Sequence, residues 1–417
     1  MKSKAETYID GAREIITCDS MRSDALGRIP NGIIAIANGD ILAAGPPEEV
    51  AKTADLSNAR RIDAGGKIVA PGFVDCHTHL VFGRSRAEEY ALKMTKSVRE
   101  IEAMGIETGI PASIRMTREE NEESLFNDAL DRIGRMLRYG TTTVESKSGY
   151  GIRLEDELKQ LRVNSRLDLD QPVDVVSTFL GAHDFPPEID RNHPKDRKAY
   201  IRELTEKMIP RVTEEKLAEF CDIYCDTGYY TREEAHKILR AGIDHGLLPR
   251  IHTDAYANVG GSTLAAELPA VSADHLNYTS KTEMHLLAEA GVVGVVLPAL
   301  DFAVAHPDPF NARAMLEAGM TLALGTNINP GNWTESMQMV MQLACRNHGM
   351  SPEEAMLAAT TGAAKAIRRE DRIGRLAKGY SADIQIWDLS SFEDSIYRIG
   401  NNAVCMVIKN GTVVFQI

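Results

Sequence analysis

The sequence is poor in cysteine, and this shortage excludes one class of metal site. Its 417 residues include six cysteines, of which only Cys221 and Cys225 lie close together. A zinc site built from thiolates would need a second pair, so we interpret all six as free or buried thiols. Thiols of this kind are typical of a reducing cytoplasm, which is where we expect the protein to work.

The sequence also has no excess of positive charge and no long apolar run. Its formal net charge is −13, and nucleic-acid binding needs a basic surplus to replace phosphate counterions, so we expect no nucleic-acid partner. The longest apolar-rich run, AGVVGVVLPAL, is far shorter than the roughly 18 residues of a membrane span. The opening stretch, MKSKAETYIDGAREIITC, has no uninterrupted apolar segment, so we expect neither a signal peptide nor a membrane anchor.

The composition is that of an ordinary globular protein, with 43% hydrophobic and 26% charged residues. Its two ends share one pattern: GIIAIANGDILAAG and AVCMVIKNGTVVFQI each predict strand, Asn-Gly turn and strand, and ADIQIWDL adds another strand. Neither end has enough strands to bury a core alone. We therefore predict that residues 1–66 and 368–417 combine into one small β-sandwich.

Between these ends, residues 67–367 alternate apolar strands with amphipathic helices. Strands are predicted at 67–75, 141–145, 173–181, 219–226, 248–252, 270–276, 291–298 and 321–326, and helices at 117–140, 232–242, 281–291 and 311–319. Eight such strands predict the α/β class and an eight-stranded β/α (TIM-like) barrel. A doubly wound sheet is the alternative, but it usually has a Gly-rich loop after its first strand, where DCHTHLVFG stands.

Histidines stand at the predicted strand ends, which in such barrels form the catalytic face. They are His77 and His79 on strand one, His183 on strand three, His252 on strand five and His275 on strand six. His77 and His79 share one side of an extended chain, and His252 adds a third imidazole, which predicts a site for zinc or a similar divalent ion. His275 is either a fourth ligand or a hydrogen-bond partner for the activated water.

The motifs PGFVDCHTHLVFG, VESKSGYG, FLGAH, AVSADHL and GTNINPG, in this order, resemble those of the imidazolonepropionases of the amidohydrolase superfamily. That family opens the ring of 4-imidazolone-5-propanoate in histidine breakdown. The resemblance implies one divalent metal, Zn or Fe, bound by His77, His79 and His252, with Asn327 as the side chain from strand eight. It also implies a substrate site formed by Arg86, Tyr150, His183, Asn329 and Gly331.

The chemistry of two of these side chains agrees with the resemblance. Arginine is the natural partner of a carboxylate, and Arg86 follows the ligand strand closely enough to reach the same opening. Tyr150 lies in a Ser-Gly-Tyr-Gly turn, from which a phenol can reach a ligand. Glu145 and Lys147 nearby are expected to support the end of strand two.

Two positions depart from the family pattern. Strand five of the family ends in a His-Ala-Asp-Glu type motif, whereas HTDAY matches its aspartate with Asp254 and has Ala255 at the last position. Strand eight of the family supplies an aspartate, and Asn327 stands there. Asparagine can offer its oxygen to a metal but is no base at neutral pH. Either the residue was replaced to trap a complex, or the chain is a natural relative in which His275 or Asp254 assists the water.

We therefore expect a metal-dependent hydrolase of C–N bonds in a five-membered imidazolone or imidazolidine ring that carries a propionate arm. One alternative is hydrolysis of a hydantoin or thiohydantoin propionate, and another is a binding variant with impaired catalysis. An aminohydrolase of purine-like or pyrimidine-like rings is a third, but it would not need Arg86 or the SGYG turn. The expected partner is a small ring compound with a carboxylate; a homodimer is compatible with the sequence, which does not determine the oligomeric state.

Overall fold

A barrel of eight parallel strands forms the centre of the computed structural model, which describes residues 2–22 and 24–417. Each strand pairs with the next one along the chain. The strands are Phe73–Thr78, Thr141–Lys147, Asp174–Ala182, Phe220–Cys225, Leu248–Thr253, Ser272–His275, Val293–Val296 and Leu322–Leu324, numbered one to eight below. The predicted β/α barrel is confirmed.

Strands one and eight meet and bring the ring of strands close to closure. The amide of Asn327 donates to the carbonyl of His77 at 3.0 Å, and the amide of His79 donates to the carbonyl of Ile328 at 2.9 Å. The end of strand eight therefore lies directly beside the two histidines of strand one.

Strand four illustrates how alternation along a strand separates the core from the site. Cys221, Ile223 and Cys225 pack into the main hydrophobic cluster outside the barrel, together with residues of the surrounding helices. Successive side chains of a strand point to opposite faces, so Asp222 and Tyr224 point into the barrel. Asp222 there meets His252 on strand five.

Helices surround the barrel and also occupy both ends of the chain. Their bounds are Pro47–Thr53, Ala87–Lys93, Val98–Ala103, Gly109–Glu119, Glu122–Arg138, Leu154–Asp170, Pro194–Glu203, Ile209–Glu214, Arg232–Asp244, Gly261–Glu267, Lys281–Glu289, Pro298–Ala303, Ala312–Glu317, Met337–His348, Pro352–Leu357, Ala363–Ala366 and Asp394–Tyr397, with π-helical turns at Leu204–Met208 and Ala358–Gly362. Among the helices of residues 2–22 and 24–417, none has both the length and the apolarity to cross a membrane.

The helix predicted at 117–140 is two helices. The first ends at Glu119 and the second begins after Asn121, whose side chain accepts a hydrogen bond from the amide of Ser124 at 2.8 Å. This N-cap interaction satisfies an amide that a continuous helix would bond internally, and it explains the break.

The remaining strands come from both ends of the chain. One sheet has the order Thr412–Gln416, Val404–Lys409, Ile384–Trp387, Ile68–Pro71, Glu14–Ile15 and Ile29–Pro30; the other has the order Asp40–Gly45, Ile33–Ala37, Thr7–Asp10 and Arg60–Asp63; Ser3–Lys4 pairs with Ala54–Asp55. Ile9, Ile34, Ile384 and Ile408 share one hydrophobic cluster. Met1 and Ser23, which belong to the predicted 1–66 segment, lie outside the described residues.

The run predicted as one strand at 67–75 is two strands in different sheets. Ile68–Pro71 pairs with Ile384–Trp387, whereas Phe73–Thr78 begins the barrel. Gly72 lies between them, and a Cβ at this position would be 2.3 Å from the hydroxyl oxygen of Thr142. The chain can change sheets here because glycine allows the two backbones to approach.

Candidate active site

Three imidazoles converge at the ends of strands one and five. His77, His79 and His252 each offer one ring nitrogen, and these nitrogens lie within 4.8 Å of one another. Among the described residues, Nε2 of His77, Nε2 of His252 and Nδ1 of His79 have no hydrogen-bond partner, although all three atoms are buried. Three converging imidazole nitrogens are the donor set of a divalent metal site, so these residues fit such an ion.

Two buried carboxylates orient these histidines. Nδ1 of His77 lies 2.6 Å from Asp274, and Nδ1 of His252 lies 3.1 Å from Asp222. An imidazole that donates its Nδ1 proton to a carboxylate keeps its Nε2 lone pair free for a metal. The hydrogen bonds therefore select the tautomer that a ligand needs.

Buried cations balance the charge of these carboxylates. Lys147 lies 2.9 Å from both Glu145 and Asp222, and Arg250 lies 3.1 Å from Asp274, all of them fully buried. Burial alone would raise the pKa of Asp274, but the charges of Arg250 and Lys147 hold that pKa well below its usual range. Burial, assisted by Lys147, keeps the pKa of His77 well below its ordinary value, so His77 is neutral.

A cavity of about 620 Å³ opens above the histidines. It is lined by residues of several strand ends and of the loops and helices above them: His79, Arg86, Glu89, Tyr90, Lys93, Met94, Gly109, Ile110, Tyr150, His183, Tyr224, Tyr229, His252, Tyr256, His275, Leu300, Ala303, Val304, Ala305, Asn327, Asn329 and Gly331. This volume is in the range of small-molecule sites. Of the eight predicted site residues beyond the three metal-binding histidines, seven line this cavity: Arg86, Tyr150, His183, His275, Asn327, Asn329 and Gly331.

Arg86 lies on one wall of the cavity with half of its guanidinium free. Its Nη1 donates to both carboxylate oxygens of Glu89 at 3.0 Å, and Glu89 also binds Lys93 at 2.5 Å. In the described part of the chain, Nε of Arg86 has no partner. A Cβ at Gly331 would lie 2.2 Å from Nη2 of Arg86. Glycine at this position therefore avoids a clash with the guanidinium. Two cations against one carboxylate make this wall net positive.

His183 and Tyr150 lie next to the histidine cluster. The ring of His183 stacks on His79 with centroids 4.8 Å apart, and its Nδ1 lies 3.1 Å from the carbonyl of Gly149. The ring of Tyr150 is 5.3 Å from His183, and both side chains line the cavity. Burial, with the nearby His252, lowers the pKa of His183 to about 3, so its ring is neutral.

His275 and Asn327 reach the cavity because the backbone turns sharply at both residues. Their φ angles are 83° and 51°, in the left-handed region that side chains other than glycine rarely adopt. Asp274 and His275 would point to opposite faces of an extended strand, and this turn lets both approach the site. The ring of His275 is 5.2 Å from that of His252, and burial, with His252, lowers the pKa of His275 to about 3.

Asn329 and Asp254 are engaged within the protein. Oδ1 of Asn329 accepts hydrogen bonds from the amides of Gly331 at 2.8 Å and Asn332 at 3.0 Å, so this side chain shapes the strand-eight turn. The carboxylate of Asp254 accepts hydrogen bonds from the hydroxyls of Ser262 at 2.5 Å and Thr279 at 2.8 Å. Asp254 is not among the side chains that line the cavity.

Sequence reasoning missed the carboxylates that bond the histidines and the further tyrosines of the cavity wall. Asp222 and Asp274 each lie inside an apolar strand, where a charged residue is rare unless it is paired. Tyr224 follows Asp222 by two residues and points to the same side, and its ring stacks on Tyr229 with centroids 4.1 Å apart. The alternation of strand four was the signal that could have identified both Asp222 and Tyr224.

Comparison with known proteins places this geometry in context. A family model described as "Amidohydrolase family" matches residues 68–414. The imidazolonepropionase of Geobacillus thermodenitrificans is 43% identical over 98% of this chain and 97% of its own length, and that of Clostridium tetani is 38% identical over 99% of each.

Solved structures share the fold at low sequence identity. An adenosine deaminase from Xanthomonas campestris with bound zinc covers 100% of this chain and 94% of its own, with 20% identity and a TM-score of 0.69. A mutant atrazine chlorohydrolase from Arthrobacter aurescens, complexed with zinc and atraton, covers 98% of this chain and 95% of its own, with 18% identity and a TM-score of 0.73.

Proposed function

This chain belongs to the amidohydrolase family, in its imidazolonepropionase branch, and from that premise we propose that it hydrolyses 4-imidazolone-5-propanoate. The reaction breaks a C–N bond and opens the five-membered ring. The amidohydrolase family uses a divalent metal ion, and we propose zinc or iron here. One observation carries the proposal: three imidazole nitrogens converge at the base of a cavity that Arg86 also lines.

We propose that His77, His79 and His252 hold the ion, with the side-chain oxygen of Asn327 as a fourth donor. Neutral nitrogen donors suit a borderline divalent cation such as zinc or ferrous iron. When bound, the ion lowers the pKa of a water molecule and polarises the carbon that is attacked. Asn327 lines the cavity and keeps the shape of an aspartate without its charge.

The propionate arm of the substrate meets Arg86 in this proposal. Glu89 occupies Nη1 and leaves Nε and Nη2 as two parallel donors, which is the geometry that a carboxylate matches. Arg86, Lys93 and Glu89 together carry one net positive charge, which balances the single negative charge of the propionate arm. Gly331 gives the arginine its room, and this is the substrate-binding role that we propose for it.

The ring lies between the propionate clamp and the histidines. Tyr150 and His183 both line this region, and Nδ1 of His183 donates to the carbonyl of Gly149, which leaves the other ring nitrogen as an acceptor. We propose that these two side chains orient the ring over the metal site, because correct placement of the reacting atoms supplies much of the rate. Asn329 contributes indirectly, since it fixes the turn that carries Gly331.

We propose that His275 assists the attacking water. Its ring is neutral and lines the cavity 5.2 Å from the ring of His252, so a nitrogen lone pair can accept a hydrogen bond from the water. Asn327 cannot take a proton at neutral pH. Asp254, whose carboxylate is held by Ser262 and Thr279, supports the strand-five loop in this proposal instead of contacting the water.

Six thiols without a disulfide among the described residues agree with the cytoplasm as the proposed compartment. The proposed partner is a small ring compound that carries a carboxylate.

The experiment combines metal analysis with a substrate panel. The purified protein, before and after chelation, is offered imidazolone, hydantoin and thiohydantoin propionates, and the same panel is run on Asn327→Asp. We expect one metal ion per chain and turnover of imidazolone propionate that chelation abolishes. Turnover of a hydantoin compound with none of imidazolone propionate would contradict the proposal. Activity only in the aspartate form would identify Asn327 as a lost ligand.

A further inference from the structure

The buried tyrosines of the protein fall into two kinds. Four tyrosines are buried in the described part of the chain: Tyr150, Tyr200, Tyr224 and Tyr230. The hydroxyl of Tyr200 donates to the carbonyl of Gly181 at 2.8 Å, and that of Tyr230 donates to the carbonyl of Asp184 at 2.9 Å. Tyr150 and Tyr224 line the cavity, and neither hydroxyl has a partner among the residues that the structure describes. The hydroxyls of these two are not among the buried unpartnered atoms of the described residues, so they are open to the cavity, where a ligand can reach them.

Tyr150 already has a place in the proposed function, but Tyr224 has none. It lies at the end of strand four, and its ring is 5.9 Å from that of His252, 6.1 Å from that of His183 and 6.2 Å from that of His275. These distances put it within one small molecule of the proposed metal site. The stacked ring of Tyr229, 4.1 Å away, restricts its orientation.

Two backbone amides beside Tyr224 are already engaged within the protein. The carboxylate of Asp226 accepts hydrogen bonds from the amides of Ala255 at 2.7 Å and Tyr256 at 3.0 Å, so those amides are used. Ala255 itself has only a methyl group. The three tyrosines Tyr224, Tyr229 and Tyr256 line the cavity here, and of these only Tyr224 is buried.

We propose that Tyr224 is a specificity-determining residue whose hydroxyl donates a hydrogen bond to an acceptor atom on the ring edge that faces strand four. The ring it selects is a planar five-membered heterocycle with an unprotonated nitrogen or a carbonyl oxygen on that edge. Tyr229 keeps the phenol in position through its stacked ring. This inference rests on the proposed function, because it takes the ligand to be a ring that carries a propionate arm.

The test compares two inert ligands on metal-loaded protein. 3-(Imidazol-4-yl)propionate offers a ring nitrogen, and 3-cyclopentylpropionate has the same arm on a ring without any acceptor. Their dissociation constants are measured by calorimetry on the unmodified chain and on Tyr224→Phe, which removes only the hydroxyl. We expect binding of the imidazole ligand to weaken about tenfold and binding of the cyclopentyl ligand to stay within about twofold, since an acceptor would lose its donor.

Tyr200→Phe is the matched control, because it removes a buried phenol that bonds a carbonyl outside the cavity. It should leave both dissociation constants unchanged, and metal content and thermal unfolding should verify that Tyr224→Phe is folded. An equal change for the two ligands would assign Tyr224 a packing role and overturn the proposal. Unchanged dissociation constants for both ligands in Tyr224→Phe would also overturn it. The same holds if the unmodified chain binds both ligands with equal affinity.

Turnover of imidazolone propionate is measured separately on the unmodified chain. A chain that shows no turnover but loses affinity for the imidazole ligand in Tyr224→Phe contradicts the proposed reaction and leaves the role of Tyr224 standing. A chain that turns over the substrate but shows no ligand-selective loss contradicts the role of Tyr224 alone.

Discussion

The floor and the wall of the cavity are built in opposite ways. On the floor, the second nitrogens of His77 and His252 are fixed by Asp274 and Asp222, and these carboxylates are paired with buried cations. On the wall, the described residues leave Nε of Arg86 and the hydroxyls of Tyr150 and Tyr224 without protein partners. The floor is therefore rigid and suited to one ion, whereas the wall keeps its donors for an organic molecule.

This difference has an energetic reason. A buried charge is tolerated only when it is paired, so the floor must be complete before any ligand arrives. Nε of Arg86 is a buried donor without a partner among the described residues, which is unfavourable by about 1–3 kcal/mol, and a ligand that supplies the acceptor recovers that free energy on binding. Changes to the floor should thus affect metal binding, and changes to the wall should affect substrate binding.

His252→Ala should have the largest effect. It removes one of three converging nitrogens and leaves Asp222 without its imidazole partner. We expect the metal to be lost and turnover to fall on the order of 10³-fold or more, because water is then no longer activated. His236→Ala, on the exposed face of helix Arg232–Asp244, is the control and should retain both the metal and the turnover. The metal content of the two purified variants tests this prediction. A His252→Ala variant that still binds one metal ion per chain would contradict the distinction between the floor and the wall.

Arg86→Ala should have the second largest effect. It should weaken substrate binding and leave metal binding unchanged. Truncation removes the proposed carboxylate clamp, so we expect KM to rise about 100-fold with little change in kcat and none in metal content. Arg84→Ala removes a neighbouring arginine that pairs with Glu119 at the surface, and it should behave like the unmodified chain. A fall in kcat without any change in KM would argue against the clamp.

Asp222→Asn should weaken metal binding about 30-fold, which is within the usual range for the partner of a metal-binding histidine. The amide still accepts the proton of His252 but no longer increases its basicity by charge. Asp383→Asn is a matched control, since Asp383 is an equally buried carboxylate paired with Lys409 at 2.6 Å, outside the barrel. Both variants should lose stability in thermal unfolding, and only Asp222→Asn should show a weaker metal dissociation constant. Equal metal affinities would remove the proposed role of the carboxylate.

Gly331→Ala should have the smallest of these effects. The added methyl would lie 2.2 Å from Nη2 of Arg86, and the flexible arginine can move away. We expect KM to rise roughly fivefold to tenfold while the fold and the metal are retained, since a displaced donor loses about one hydrogen bond. Gly134→Ala, on a helix where a Cβ would meet nothing within 4 Å, is the control. An unchanged KM in Gly331→Ala would contradict the proposed role of Gly331 in positioning Arg86.

The two regions also differ in how far the sequence predicts them. The strand-end positions of His77, His79, His183, His252 and His275 follow from the barrel rule, and the structure brings all five together. Asp222 and Asp274 were not predicted, because a carboxylate in an apolar strand makes sense only when its partner on another strand is known. The hydroxyls that hold Asp254 come from Ser262 and Thr279 further along the chain, so the sequence could not show that its carboxylate is engaged within the protein.

Local backbone geometry limits prediction at the remaining positions. His275 and Asn327 reach the cavity through left-handed φ angles that a strand pattern does not reveal. The break at Gly72 depends on its close approach to Thr142, 70 positions away along the chain, and so it could not be read from the apolar run at 67–75.

X-ray absorption spectroscopy of the metal-loaded protein tests the central claim most directly. The account predicts one divalent ion per chain whose nearest neighbours include three imidazole nitrogens at about 2.0–2.1 Å, as in other histidine sites for zinc. Among residues 2–22 and 24–417, a second cluster able to hold an ion is formed by Asp222, His252 and Asp274. A spectrum with a single imidazole and mainly carboxylate oxygens would place the ion there and would contradict the account.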